Sequence, residues 1–154
     1  MNMNAASSST LDRGPQPSPA RDRYPVLIIV EDDTDDFTLL KRALWKTGAS
    51  ARVWWAKTCA EALEILAQVS AGNANVCIVS DIKLPDLDGF ELLRMVKSLP
   101  GEHHPKFVFL TGNSDAAASV RAQRLGADGF FAKPIRWDDL VETARALQKL
   151  ALQV

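Results

Sequence analysis

Four short apolar runs end in residues able to do chemistry. VLIIV is followed by Glu31-Asp32-Asp33, VCIVS by Asp81, FVFL by Thr111 and GFFA by Lys133-Pro134. Two carboxylates about 4 Å apart repel by roughly 4 kcal/mol at an effective dielectric near 20, so acids gathered at one place require a cation among them. A hard divalent ion with oxygen ligands meets that requirement. Mg²⁺ in particular takes one or two protein carboxylates and keeps sites for water and phosphate oxygens. Lys133 would add a fixed ammonium, which acts on phosphate as a point charge. The Thr111 hydroxyl, next to the open Gly112, could hydrogen-bond a phosphoryl oxygen. Such a pocket suits a tetrahedral phosphoryl group, and a carboxylate in it can attack phosphorus and carry the group as an acyl phosphate. Asp81 is the candidate nucleophile because it ends the middle run. Glu31 and Asp32, adjacent on a turn, are candidate metal holders.

These residues converge only if the runs are neighbouring parallel strands. Val26 to Val30, Arg52 to Ala56, Val76 to Ser80, Phe107 to Leu110 and Gly129 to Ala132 alternate with amphipathic stretches. Four of them are nearly continuous in apolar residues, as in strands buried on both faces. Phe37, Leu40 and Leu44 recur at helical spacing before Gly48, and Thr58-x-x-Glu61 makes a capping box ahead of Ala62, Leu63, Leu66 and Ala67. Phe90, Leu93 and Val96 predict a third helix, Ala117, Val120 and Arg121 a fourth, and Leu140, Val141, Ala144 and Leu147 a fifth. Five βα units with right-handed crossovers predict an α/β fold, a doubly wound parallel sheet of the flavodoxin-like (βα)5 kind with strand order 2-1-3-4-5. In that order the strand sequence reverses between strands 1 and 3, whose ends carry Glu31-Asp32 and Asp81.

Residues 1–23 are rich in Ser, Asn and Pro and poor in large apolar side chains, so a flexible tail is expected before a domain over 24–154. Eighteen basic against nineteen acidic residues, with no Lys/Arg run, disfavour direct nucleic-acid binding. No stretch approaches the roughly 18 apolar residues of a membrane helix, and no signal-peptide core is present. Cys59 and Cys77 have neither metal-ligand spacing nor a secreted disulfide pattern, so a cytoplasmic setting is expected.

Residues Tyr24 to about Leu150 resemble the receiver domain of bacterial response regulators, with VEDD, SDIKLPDLDGFELL, LTG and GADGFFAKP in that family's order and spacing. The resemblance implies that Asp81 is the phosphoacceptor, that Glu31, Asp32 and Asp81 hold Mg²⁺ with the backbone carbonyl of Lys83, and that Thr111 and Lys133 contact the phosphoryl group. It also implies a cis peptide between Lys133 and Pro134. Phe130 stands at the aromatic switch position where Tyr is frequent, so switching would rest on packing. Lys83 and Glu31 depart from the commonest residues of the family at their positions. With one helix's worth of chain after Lys133-Pro134, a stand-alone receiver of two-component phosphorelay systems is expected, signalling through its own surface. Its partner would be a sensor histidine kinase or a histidine phosphotransfer protein. VEDDTDDFTLLKRALWKTG resembles single-domain regulators paired with bacteriophytochromes, relatives that often form homodimers.

Other readings compete residue by residue. Asp33, Asp35 and Asp36 are better read as charges favoured at a helix N-terminus. His103 and His104 belong to a polar loop rather than to a phosphodonor bundle. Trp54 and Trp55 fall on an edge strand, and Trp45 and Trp137 at helix ends; most are expected to serve packing, while an exposed indole would mark an interface. As rivals to the whole reading stand a Mg²⁺-dependent phosphatase, whose usual second acid two residues after the nucleophile is here Lys83, and a phosphorylation-independent binding module. Both are weaker than a protein that is no turnover enzyme beyond its own phosphorylation and dephosphorylation.

Overall fold

The computed structural model describes residues 24–48, 51–70, 75–101 and 104–152; the expected tail and His103 lie outside these residues. Five parallel strands form one sheet: β1 (Val26–Val30), β2 (Arg52–Ala56), β3 (Val76–Ser80), β4 (Lys106–Thr111) and β5 (Gly129–Ala132). Their order is β2-β1-β3-β4-β5, as expected. Val30 is in register with Ser80 and with Ala56, so the ends of β1 and β3 lie side by side.

The described helices are α1 (Thr34–Lys46), α2 (Cys59–Val69), α3 (Gly89–Lys97), α4 (Ala116–Arg124) and α5 (Trp137–Leu152). Every residue of β1 and β3 is buried, and alternate side chains feed two cores. Val26, Ile28, Val30 and Ile78 pack with Ala62, Leu66, Phe90, Leu93 and Val96 of α2 and α3. Leu27, Ile29 and Val79 pack with Phe37, Leu40 and Leu44 of α1 and Val141, Ala144 and Leu147 of α5. At about 25 cal/mol per Å², burial of these branched side chains is the main force holding the strand ends together. Each of α1 to α4 opens on a capping side chain: Asp33, Thr58, Asp88 and Asp115 each accept an N–H from the first turn. Gly48 and Gly126 follow α1 and α4 with positive φ, where the chain turns back with no Cβ penalty.

One face differs from expectation. In α4 the buried residues are Ala118 and Ala122, and Val120 is exposed. Alanines occur on several sides of AAASVRAQR, so periodicity alone could not fix which side faces inward, and the small residues at i and i+4 took the core.

Candidate functional site

The ends of β1, β3 and β5 bring Glu31, Asp81 and Lys133 to one point. Lys133 Nζ lies 2.8 Å from Glu31 Oε2, 2.8 Å from Asp81 Oδ2 and 2.8 Å from Asp36 Oδ2. Each residue is held there by its backbone. The Glu31 N–H donates to the Ala56 carbonyl at 2.9 Å, the Asp81 N–H to the Val30 carbonyl at 3.1 Å, and the Lys133 N–H to the Thr111 carbonyl at 2.9 Å. Asp81 is further fixed by the Ile82 N–H, which donates to Oδ1 at 2.7 Å and leaves Oδ2 turned to the lysine. Its side chain is 13% exposed, enough to be reached and buried enough for charge to matter.

Gly89 explains how the loop after Asp81 closes so tightly. Its N–H donates to the Ile82 carbonyl at 2.6 Å. A Cβ there would collide with the Asp81 carbonyl and come within 2.8 Å of the Phe109 ring, so only glycine fits. Asp86, in the same loop, accepts from the Cys59 and Ala60 N–H groups at 2.9 and 3.0 Å and ties the loop to the first turn of α2.

The charges set the protonation states. Burial pushes the Glu31 carboxyl up to about 7, against the lowering influence of Lys133 and the Asp33 N–H. Burial works against the Lys133 ammonium, yet its hydrogen bonds to Asp36, Asp81 and Glu31 prevail and hold it above the ordinary lysine range. One ammonium facing three carboxylates leaves an excess of negative charge. All donors are hard oxygens, and Glu31 and Asp81 reach one common point, so the residues fit a small divalent cation. Among the described residues, however, no three acidic, His or Cys side chains are arranged as a ligand set. The carboxylates converge on the lysine instead, and Asp32 is exposed beside them in sequence.

Two sequence expectations change here. Asp36, read as a helix-terminal charge, stands in the first turn of α1 as that reading required and also joins the cluster through Lys133, a contact with no signal in the local sequence. Asp33 is the N-cap of α1, accepting the Asp36 N–H at 3.0 Å, as that reading required. The Lys133-Pro134 bond is not cis, since the described chain contains no cis peptide. Trans is favoured before proline by about 0.5–1 kcal/mol, and the trans backbone already carries the ammonium to its partners. Thr111 is buried at the end of β4, with its Oγ1 accepting the Asn113 N–H at 3.1 Å. Phe130 is half-buried against Phe109, ring centroids 6.1 Å apart. Lys83 is exposed, as is His104 in its loop. Of the tryptophans, Trp45 is 69% exposed, while Trp55 donates its indole N–H to the Glu31 carbonyl at 2.7 Å.

A parallel sheet with an aspartate ending its central strand and a lysine facing it from β5 defines a class, and comparison with known proteins identifies it. The response regulator receiver domain family matches residues 27–145, and the chain belongs to that family. It is 30% identical over 132 residues to the response regulator protein TodT of Pseudomonas putida, a match covering 86% of this chain and 55% of TodT. To the sensory transduction protein BceR of Bacillus subtilis it is 31% identical over 121 residues, covering 79% of this chain and 48% of BceR. The chain thus spans about half the length of these curated relatives. Among solved structures, the phosphorylated cyanobacterial phytochrome response regulator RcpA superposes with a TM-score of 0.72 at 22% identity, covering 84% of this chain and 95% of RcpA. The Mn²⁺-bound response regulator Rcp1 superposes with a TM-score of 0.70 at 22% identity, covering 84% of this chain and 96% of Rcp1. Among the described residues no helix is long and apolar enough to cross a membrane.

Proposed function

We propose that the chain accepts a phosphoryl group on Asp81 from a sensor histidine kinase or a histidine phosphotransfer protein and signals through the surface that this modification reshapes. The observation that carries the proposal is the Asp81–Lys133 contact at 2.8 Å at the end of the central strand, shared with the buried Glu31. The Mn²⁺-bound state of Rcp1 and the phosphorylated state of RcpA accord with this reading. In the proposed reaction the Asp81 oxygen facing Lys133 attacks phosphorus, the P–N bond to the donor imidazole breaks, and the new P–O bond makes an acyl phosphate. Glu31, Asp32, Asp81 and the Lys83 backbone carbonyl are the residues that would hold Mg²⁺, which supplies charge neutralisation at the phosphoryl oxygens. Lys133 would contribute a second positive charge, and Asp36 steadies it. No turnover of other substrates is part of this function, and the protein is assigned to the cytoplasm.

The response proceeds through Thr111 and Phe130. A phosphoryl oxygen recruits the Thr111 hydroxyl away from the Asn113 N–H, the space beside β4 changes, and the half-buried Phe130 ring repacks. Phe130 has no ring hydroxyl, so its two positions differ by packing alone.

Incubating the chain with acetyl phosphate and Mg²⁺ and measuring intact mass tests the proposal. The expected result is one phosphoryl adduct that requires Mg²⁺ and is absent from Asp81→Asn. An adduct persisting in that variant, or none in the wild type, overturns it.

A further inference from the structure

We infer that Trp55 is a positioning residue for the cation end of the site, holding the Glu31 peptide so that its carboxylate meets Asp81. The inference rests on the proposed role of Glu31 in holding Mg²⁺. Trp55 lies in β2, opposite Ile29 of β1, and touches no reacting group. Its indole N–H donates to the Glu31 carbonyl at 2.7 Å, a short hydrogen bond bridging 24 residues of chain.

The ring that presents this donor is itself fixed. It stacks on Phe37 of α1 with centroids 4.3 Å apart and planes 4° from parallel. The Lys57 ammonium sits 4.8 Å from the ring centroid. The Glu31 backbone is therefore held on both sides by β2 residues, its N–H by the Ala56 carbonyl and its carbonyl by Trp55. The indole makes this bond just where β2 turns into α2, with the Lys57 N–H donating to Glu61 Oε2 at 2.8 Å beside it. Held this way, the Glu31 side chain also accepts the Asp33 N–H at 3.1 Å and presents Oε2 to the point shared with Asp81. Without the bond, the turn carrying both Glu31 and Asp32 gains freedom that cation binding must then remove.

The test uses the full chain and Mg²⁺ alone as the probe. Trp55→Phe keeps an aromatic ring against Phe37 and loses the N–H together with the second ring of the indole, whose lost packing the melting temperature reads separately. Its Mg²⁺ dissociation constant, measured by calorimetry, is expected to rise roughly three- to tenfold, the scale of one hydrogen bond. The rate of phosphorylation by acetyl phosphate at saturating Mg²⁺ should stay at the wild-type level. A role confined to packing would lower the melting temperature and leave the dissociation constant alone, and an unchanged constant overturns the inference. Wild-type protein that binds no Mg²⁺ overturns the proposed function and this inference together, which separates the two failures. A second measurement leaves Trp55 in place. With the exposed Trp45, Trp54 and Trp137 replaced by Phe, Trp55 is the sole indole. Its emission should change along the Mg²⁺ binding curve, and emission that stays flat through saturation overturns the inference.

Discussion

The central β1–β3 region of the sheet and its β5 edge are built to different standards. In the β1–β3 region every strand residue is buried, α1 and α5 close one face with Phe37, Leu40, Leu44, Val141 and Leu147, and Glu31 and Asp81 are tied down by main chain and side chain alike. At the β5 edge the strand is only half-buried and α4 packs through two alanines. Methyl-sized contacts supply little burial energy, so this edge has less to lose by moving. A phosphoacceptor needs the first kind of surroundings, because attack on phosphorus depends on atoms held in place. A switch needs the second, because a bound group can tip only an equilibrium whose two states are close in energy.

Substitutions break this contrast most sharply at Gly89. A Cβ there must displace the Asp81 carbonyl or the Phe109 ring, so Gly89→Ala should cost about 3 kcal/mol in urea unfolding and abolish the phosphoryl adduct. Two phenylalanines compare the two regions directly. Phe37 is buried and stacked on Trp55, so Phe37→Ala should cost about 3–4 kcal/mol. Phe130 is half-buried at the looser edge, so Phe130→Ala should cost roughly 1–2 kcal/mol and still be phosphorylated. Equal costs in equilibrium unfolding would erase the distinction between the two regions.

The rigid region was largely legible in the sequence and the loose edge only partly. Continuous apolar runs announce strands buried on both faces, and their order places Glu31, Asp81 and Lys133 at neighbouring ends. Thr58 and Glu61 gave the start of α2 because capping is a local, fixed-spacing interaction. Contacts across long sequence separation left no such trace. Asp36 to Lys133, Trp55 to Glu31 and Asp86 to Cys59 join residues from different elements, and no periodicity predicts them. The inward face of α4 was missed for another reason: a helix rich in alanine has no strong apolar stripe to read.

The pH dependence of stability sharpens the contrast within the rigid region itself. The Glu31 carboxyl is raised from 4.5 to about 7, chiefly by burial, so in the folded chain it holds its proton over a range where the unfolded chain has lost it. Its contribution is therefore fully present below its unfolded value and is lost as pH rises through about 7. In Mg²⁺-free buffer the wild-type melting temperature should fall between about pH 5 and pH 7.5 relative to Glu31→Gln, which cannot titrate there. Parallel curves for the two proteins would mean that Glu31 is not buried as a strained acid.

Asp86 should show the opposite sign and a smaller size. Slight burial would raise its carboxyl, but the Cys59 and Ala60 N–H groups outweigh that and hold it below the usual aspartate value. The stability it lends is present above that usual value and disappears as pH falls through the lowered folded one. Because the carboxylate satisfies two first-turn donors of α2 that would otherwise face water, Asp86→Ala should cost about 1 kcal/mol at neutral pH. The difference from wild type should vanish in strong acid. Urea unfolding at both pH values measures it, and a loss that persists undiminished in acid would show that Asp86 acts by packing rather than by charge.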